Sequence, residues 1–225
     1  MATHDGAEDL DTDGVRAFDH VRWVGGGSGA GKTTVTRLLA ERFDVCVYST
    51  DPAIGVHSAG LESTAAPLLK RFRGMSMDQR WADADAATMY RSFPWFHGEG
   101  FDLVLDDLRR MPTDRVVIAE GFRLLPRLVR PHLSDLRHGL WLLPTPDFRS
   151  TAFARRSGAD AFWTRTTDPA RALANLLERD RLFTDELTDQ TQHTGVHALH
   201  VDGTRTIDQT VDELAQRFGL HSEPE

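Results

Sequence analysis

The stretch that decides the fold is Val21-Arg22-Trp23-Val24-Gly25-Gly26-Gly27-Ser28-Gly29-Ala30-Gly31-Lys32-Thr33-Thr34, in which an apolar run empties into a glycine-rich loop. Its Gly26-x-x-x-x-Gly31-Lys32-Thr33 core fits a phosphate cradle: backbone N–H groups wrap the phosphates, a lysine bridges their oxygens and a threonine hydroxyl faces Mg²⁺. The context this pattern needs is a strand before it and a helix after it. VRWV supplies the first, and Val35, Leu38, Leu39 and Phe43, recurring at helical spacing, supply the second. Phosphates then face the positive end of the helix. Gly27, Ser28, Gly29, Ala30, Gly31, Lys32, Thr33 and Thr34 are therefore read as the nucleotide-binding residues, with ATP and Mg²⁺ as the implied cofactors. Of the 26 basic residues only Lys32 and Lys70 are lysine, so the lysine in this loop is a specific choice.

Four more apolar runs follow, Val45 to Tyr48, Val116 to Ala119, Leu140 to Leu143 and Ala198 to Val201, separated by helical patterns. Near-continuous apolar strands alternating with helices predict an α/β fold: a five-stranded parallel sheet covered on both faces in three layers. Thr206 and Gln209 form a capping-box pattern ahead of a closing helix, and Asp168-Pro169 reads as N-cap and first residue of another, followed through Leu173, Leu176, Leu177 and Phe183. The span from about 53 to 114 shows no strand pattern and several short helical ones, so it is read as a helical lobe over the sheet's carboxyl edge. Residues 1–14 are acidic and nearly devoid of large apolar groups and are read as a flexible tail, leaving 15–225 as one domain.

A net charge of −8 argues against a nucleic-acid partner, and no segment has the apolar length of a membrane span. With a single cysteine, Cys46, and no leader-like segment, the expected location is the cytoplasm, the expected state a monomer or homodimer, and the expected partner a small-molecule substrate.

Two carboxylates stand at strand ends. Asp51 follows the second strand, where it can accept a proton from an attacking hydroxyl or hold a metal-bound water; a turn or helix cap is the competing reading. Glu120 ends the third strand, where it can serve the metal or touch a substrate hydroxyl, and Gly121 permits a sharp exit. Either can be the base. Arg155, Arg156, Arg179 and Arg181 lie in a lid region, about 153–185, where guanidinium groups would chelate phosphate oxygens. The run Tyr90-Arg91-Ser92-Phe93-Pro94-Trp95-Phe96-His97 offers Arg91, Phe93, Trp95 and His97 as substrate contacts, against the plainer reading of lobe core.

Together these residues resemble the P-loop small-molecule kinases, the superfamily of nucleoside and nucleotide kinases, uridine kinase and phosphoribulokinase. GGGSGAGKTT is close to uridine kinase's phosphate loop, and Glu120-Gly121 is similar to the uridine kinase and phosphoribulokinase pattern. The resemblance, which covers about residues 20 to 219, implies the three-layer fold of these kinases with a substrate lobe and a lid insertion. It makes Asp51 the base, Lys32, Glu120, Arg155 and Arg179 catalytic, Thr33 and Asp51 the metal-side residues, and places Gly203, Thr204 and Arg205 near the adenine. Pro52 follows Asp51 where uridine kinase-like chains carry a Phe-Tyr pair, so the acceptor stays open. The implied reaction is ATP-dependent phosphorylation of a hydroxyl on a nucleoside-like or sugar-like metabolite. Two alternatives stand beside it, a nucleoside monophosphate kinase and a nucleotide-dependent switch.

Overall fold

A computed structural model describes residues 17–61 and 65–221; the acidic tail expected at 1–14 lies outside the described residues. Five strands form one sheet: β1 (Val21–Gly26), β2 (Val45–Ser49), β3 (Val116–Glu120), β4 (Gly139–Pro144) and β5 (His197–Val201). All are parallel, in the spatial order β2-β3-β1-β4-β5. The helices are α1 (Lys32–Arg42), α2 (Thr50–Gly60), α3 (Pro67–Arg73), α4 (Met77–Trp81), α5 (Ala86–Ser92), α6 (Phe101–Arg109), α7 (Pro126–Val129), α8 (Pro146–Ala154), α9 (Pro169–Thr194) and α10 (Ile207–Phe218). The chain is thus an α/β protein built on a parallel sheet, as the apolar runs predict.

Alternation along the strands sorts the core into two layers. Val24, Ile118, Leu140 and Leu142 face α1 and α10, meeting Val35, Leu39, Val211 and Leu214. Trp23, Val117, Ala119 and Trp141 face the other way, toward Leu124, Phe153 and Phe183. Both sets are shut off from water, which is why the strands read as unbroken apolar runs. Among the described residues of 53–114 there is no strand, only α3 to α6, the rest of α2 and a short 3-10 turn at Pro94–His97.

The predicted caps form: Thr206 and Gln209 close a capping box on α10, and Asp168 accepts the Arg171 N–H at the start of α9. α9 runs well past Phe183, to 26 residues in all. It is anchored to the lobe rather than hinged above it. Asn175 donates to the carbonyls of Trp81, Ala82 and Ala84, and the Phe183 ring stacks on Phe96 at 3.7 Å between centroids. The mobile lid expected across 153–185 is therefore, from residue 169 on, a packed helix; only the short turns at Gly158–Arg165 cross the mouth of the cleft. No helix among the described residues is long and apolar enough to cross a membrane.

Candidate active site

Strand register brings the chemistry together. β3 lies between β1 and β2, pairing Val24 with Glu120 on one side and Ser49 with Glu120 on the other. The chain leaves β1 for one side of the sheet and leaves β3 for the other, and the crevice at such a reversal is where ligands bind in open α/β sheets. The glycine-rich loop, the start of α2 and the end of β3 all open into it. Gly26 carries φ of 128°, and a Cβ there would sit 2.0 Å from the Leu142 carbonyl oxygen, so the loop turns off β1 where no side chain fits.

Inside the loop Lys32 is buried and folds back on its own cradle, donating to the Gly26 and Gly27 carbonyls at 3.0 and 2.8 Å. Burial holds its pKa down, while the carboxylates of Asp51, Glu120 and Asp180 act to raise it. Thr33 donates its hydroxyl to Glu120 Oε1 at 3.3 Å, and Ser49 Oγ donates to the same oxygen. Glu120 is only 1% exposed; burial pushes its carboxyl up, the Ser49 hydrogen bond and the Lys32 charge pull it back, and the Asp51 charge pushes it up again. Gly121, at φ of 148°, makes the exit: a Cβ would lie 1.8 Å from Thr50 Oγ1.

Asp51 stands in the first turn of α2, exposed, on the wall of a cleft of about 740 Å³. One half of that cleft is the loop, Ser28 to Thr34, with Ala152, Phe153 and Arg156. The other half is the lobe, where Phe72, Trp81, Phe93, Trp95, Phe96 and Phe122 show their ring faces. Arg179 and Asp180 lie between the halves, buried, joined by Arg179 Nε and Nη2 donating to Asp180 Oδ1 at 2.9 and 2.6 Å. The Arg179 guanidinium stands 4.3 Å above the Phe93 ring and 5.1 Å from Trp81 and Phe96. Three buried polar atoms of this region, Glu120 Oε2, Arg179 Nη1 and Asp180 Oδ2, have no partner within the protein. Buried polar atoms are normally satisfied, and three such atoms along one crevice fit a site made to receive a polar, charged ligand.

Several expectations are corrected. Arg91 is exposed, donates to Thr88 Oγ1 within its own helix and does not line the cleft. His97 is likewise exposed, its Nε2 3.3 Å from the Tyr90 carbonyl oxygen, because the turn that sends Trp95 and Phe96 inward sends residue 97 out. Arg155 is absent from the main cleft; its neighbour Arg156 lines it instead. Arg155 borders a second hollow of about 390 Å³ with Phe148, Ala152, Asp202 and Gly203, and Ala152 also lines the main cleft. Gly203 is thus beside the loop's far end, whereas Thr204 donates to Asp202 and Arg205 is ion-paired to Glu213 on α10, facing a separate hollow. Arg181 is exposed and paired with Glu178 and Asp185. No group of three or more His, Cys, Asp or Glu side chains among the described residues is spaced to hold a metal ion by protein ligands alone.

Two supporting groups escape a sequence reading. Arg149 of α8, almost wholly buried, donates Nε to the Ser28 carbonyl at 3.3 Å and Nη2 to Thr184 Oγ1, tying the phosphate loop to α9. Behind Asp51, His57 of α2 places Nε2 2.8 Å from Asp107 Oδ2 and Nδ1 2.9 Å from Arg123 Nη1, while Tyr48 donates to the same Asp107 oxygen at 2.7 Å. That network pins α2 to α6 and to the segment after β3, fixing the helix that presents Asp51. Burial, with the Asp107 hydrogen bond, pushes the Tyr48 hydroxyl pKa up, so Tyr48 stays a donor at neutral pH.

Comparison with known proteins adds little beyond the architecture. No family model matches the chain, and no curated protein matches it. Solved structures similar to it include an uncharacterized protein from Eubacterium ventriosum, 13% identical, covering 88% of this chain and 97% of that one at a TM-score of 0.47. Another is the tunicamycin resistance protein of Deinococcus radiodurans, 18% identical, covering 91% of this chain and 98% of its own at a TM-score of 0.46. At such values the likeness carries no conclusion about activity.

Proposed function

We propose that the protein is a P-loop kinase that moves the γ-phosphoryl group of ATP, with Mg²⁺, to a hydroxyl of a small metabolite. The observation that carries this reading is the convergence of Lys32, Thr33, Glu120 and Asp51 at one crevice, the first two from the end of the glycine-rich loop and the start of α1, Glu120 from the end of β3 and Asp51 from the first turn of α2. The residues present fit the implied nucleotide and metal. Lys32 and the loop amides would hold the β and γ phosphates, while Thr33 and the Glu120 carboxylate would stand on the side of a hydrated Mg²⁺. ATP supplies the transferred group and Mg²⁺ offsets its charge.

The chain's own residues do the rest. Lys32 exchanges its contacts with the Gly26 and Gly27 carbonyls for phosphate oxygens, a short move for a side chain already held in the cradle. Arg149 keeps the loop in shape through the Ser28 carbonyl. Asp51, exposed on the cleft wall, orients the acceptor hydroxyl and takes its proton; Glu120, sealed behind Thr33 and Ser49, is reserved for the metal side. Arg156 and Arg179 face the space where charge builds up during transfer. The hollow bordered by Arg155 and Gly203, which shares Ala152 with the main cleft, is the one that would take the adenine in this reading.

Enclosure by the lobe keeps water off the γ-phosphate, which favours transfer over hydrolysis and disfavours the switch alternative. Calorimetric titration with MgATP tests the donor half. The reading expects binding in the micromolar range that is lost in Lys32→Ala, and a protein that binds no nucleoside triphosphate removes it.

A further inference from the structure

The loop half of the cleft is mainly polar backbone with the cations Lys32 and Arg156; the lobe half is almost all ring. Apart from Ile54 and Leu176, the apolar surface there comes from aromatic side chains carried by α3, α4, the turn at Pro94–His97, the segment after β3 and the turns at Gly158–Arg165. Phe72 packs edge to face on Trp81, Phe93 and Trp95, and Phe93 does the same on Trp95 and Phe96 and lies tilted against Trp81, so the cage is set before any ligand arrives.

Charge in this half is equally one-sided. Its carboxyl side chains are Asp51 and Asp160, and its one guanidinium, Arg179, is paired with Asp180 through Nε and Nη2 and laid over the rings, leaving only Nη1 free. The lobe's other arginines are spent elsewhere: Arg73 donates to the Ser58 carbonyl, Arg80 to the Phe72 carbonyl, Arg91 to Thr88, and Arg123 to His57 and the Gly100 carbonyl. Arg71 borders a narrow hollow of about 50 Å³ and lies off the main cleft. Among the rings a phosphate or carboxylate would meet no free cationic donor but Arg179 Nη1, because the cleft's other guanidinium, Arg156, lies on the loop side with its charge set against Asp180, Asp160 and Asp51, and anion recognition needs guanidinium or ammonium groups free to donate. A bare polyol would leave the rings uncovered and find few hydrogen-bond partners among them.

Resting on the phosphotransfer reading, we infer that the acceptor is an uncharged hydroxyl compound carrying a planar or bulky apolar group, and that neither a phosphorylated metabolite nor a simple sugar is the substrate. The apolar group lies among Trp81, Phe93, Trp95 and Phe122, and the hydroxyl points at Asp51. Arg179 Nη1 and Asp180 Oδ2, both without a protein partner, offer one donor and one acceptor to polar atoms near the middle of the cleft.

The test is calorimetric binding of two matched sets in the absence of nucleotide: uridine, ribose and uridine monophosphate; then phenyl glucoside, glucose and phenyl glucoside phosphate. The uncharged ring-bearing member of at least one set is expected to bind more tightly than both of its counterparts by about tenfold or more, the worth of burying one ring. Ile54→Lys, which adds a cation one turn from Asp51, is expected to shrink the discrimination against the phosphorylated member, and Phe122→Leu to weaken the ring-bearing member alone. Both positions are half-buried at the edge of the core, and a melting temperature close to the parent's checks that each variant is folded. A phosphorylated or ring-free member binding as tightly, or no ring-bearing member binding at millimolar concentration, overturns the inference. The two readings fail separately. ADP release driven by a phosphorylated acceptor sinks this inference and leaves phosphotransfer standing; tight binding of a ring-bearing alcohol that never receives a phosphoryl group sinks phosphotransfer and leaves the cleft's preference standing.

Discussion

The two halves of the cleft are built from different materials. The phosphate half is made of backbone: a loop whose amides, carbonyls and one folded-back lysine come from a single run of residues, Gly26 to Thr34. The lobe half is made of side chains drawn from distant segments, Ile54, Phe72, Trp81, Phe93, Phe122 and Phe162, that share nothing in sequence except their being apolar. The first is a local structure and generic in what it holds. The second exists only once the lobe has packed on α9, and in the proposed reading it is the half that selects the acceptor.

Predictions that break or sharpen this contrast run from large to small. Removing the lysine amine in Lys32→Ala should cost at least about a hundredfold in turnover, since it deletes a charge aimed at the transferred group, and should weaken MgATP binding as well. Asp51→Asn should lower turnover by roughly a hundredfold or more while leaving the MgATP dissociation constant within about twofold, a split read by comparing calorimetry with initial rates. An Asp51→Asn enzyme with normal rates would show that the base lies elsewhere. Glu120 gives a smaller, signed effect on stability. Burial raises its pKa above that of an unfolded glutamate, so its stabilising balance is fullest below the ordinary carboxylate range and is lost as pH rises through the raised value. Glu120→Gln should therefore melt slightly higher than the parent at neutral pH, with the advantage vanishing in acid, as differential scanning fluorimetry across pH would reveal. Arg91→Ala and His97→Ala, both outside the cleft, should leave turnover within about twofold. A large loss in either would put the acceptor nearer the lobe surface than the aromatic cage.

What could be read from the chain alone follows the same division. The strand-loop-helix unit around Lys32 was legible because it is contiguous, and Asp51 and Glu120 because apolar runs end at them and parallel strands bring their ends to one edge. The aromatic run was half legible: Phe93 and Trp95 turn inward, whereas Arg91 and His97 leave by the outer face, a distinction set by a 3-10 turn that composition does not announce. Arg149, joined to Ser28 across 121 positions, and the His57–Asp107–Arg123 network, with separations of 50 and 66, were not legible, because they are contacts between elements rather than patterns within one. The region read as a lid was legible only in part, for a related reason. A helix pattern with arginines looked like a flap over phosphate, but the apolar face of α9 continues past Phe183 to Leu187 and buries it in the lobe.

The proposed reaction passes a phosphoryl group from ATP to a hydroxyl held at Asp51. Mass spectrometry of the acceptor, with ADP followed in parallel, tests it most directly when the protein is incubated with MgATP and a panel of uncharged ring-bearing alcohols. The account predicts ADP formation that depends on the acceptor, a phosphorylated product in equal amount, and loss of both in Asp51→Asn. ADP released at the same rate with every acceptor and with none, and no phosphorylated product, would contradict it.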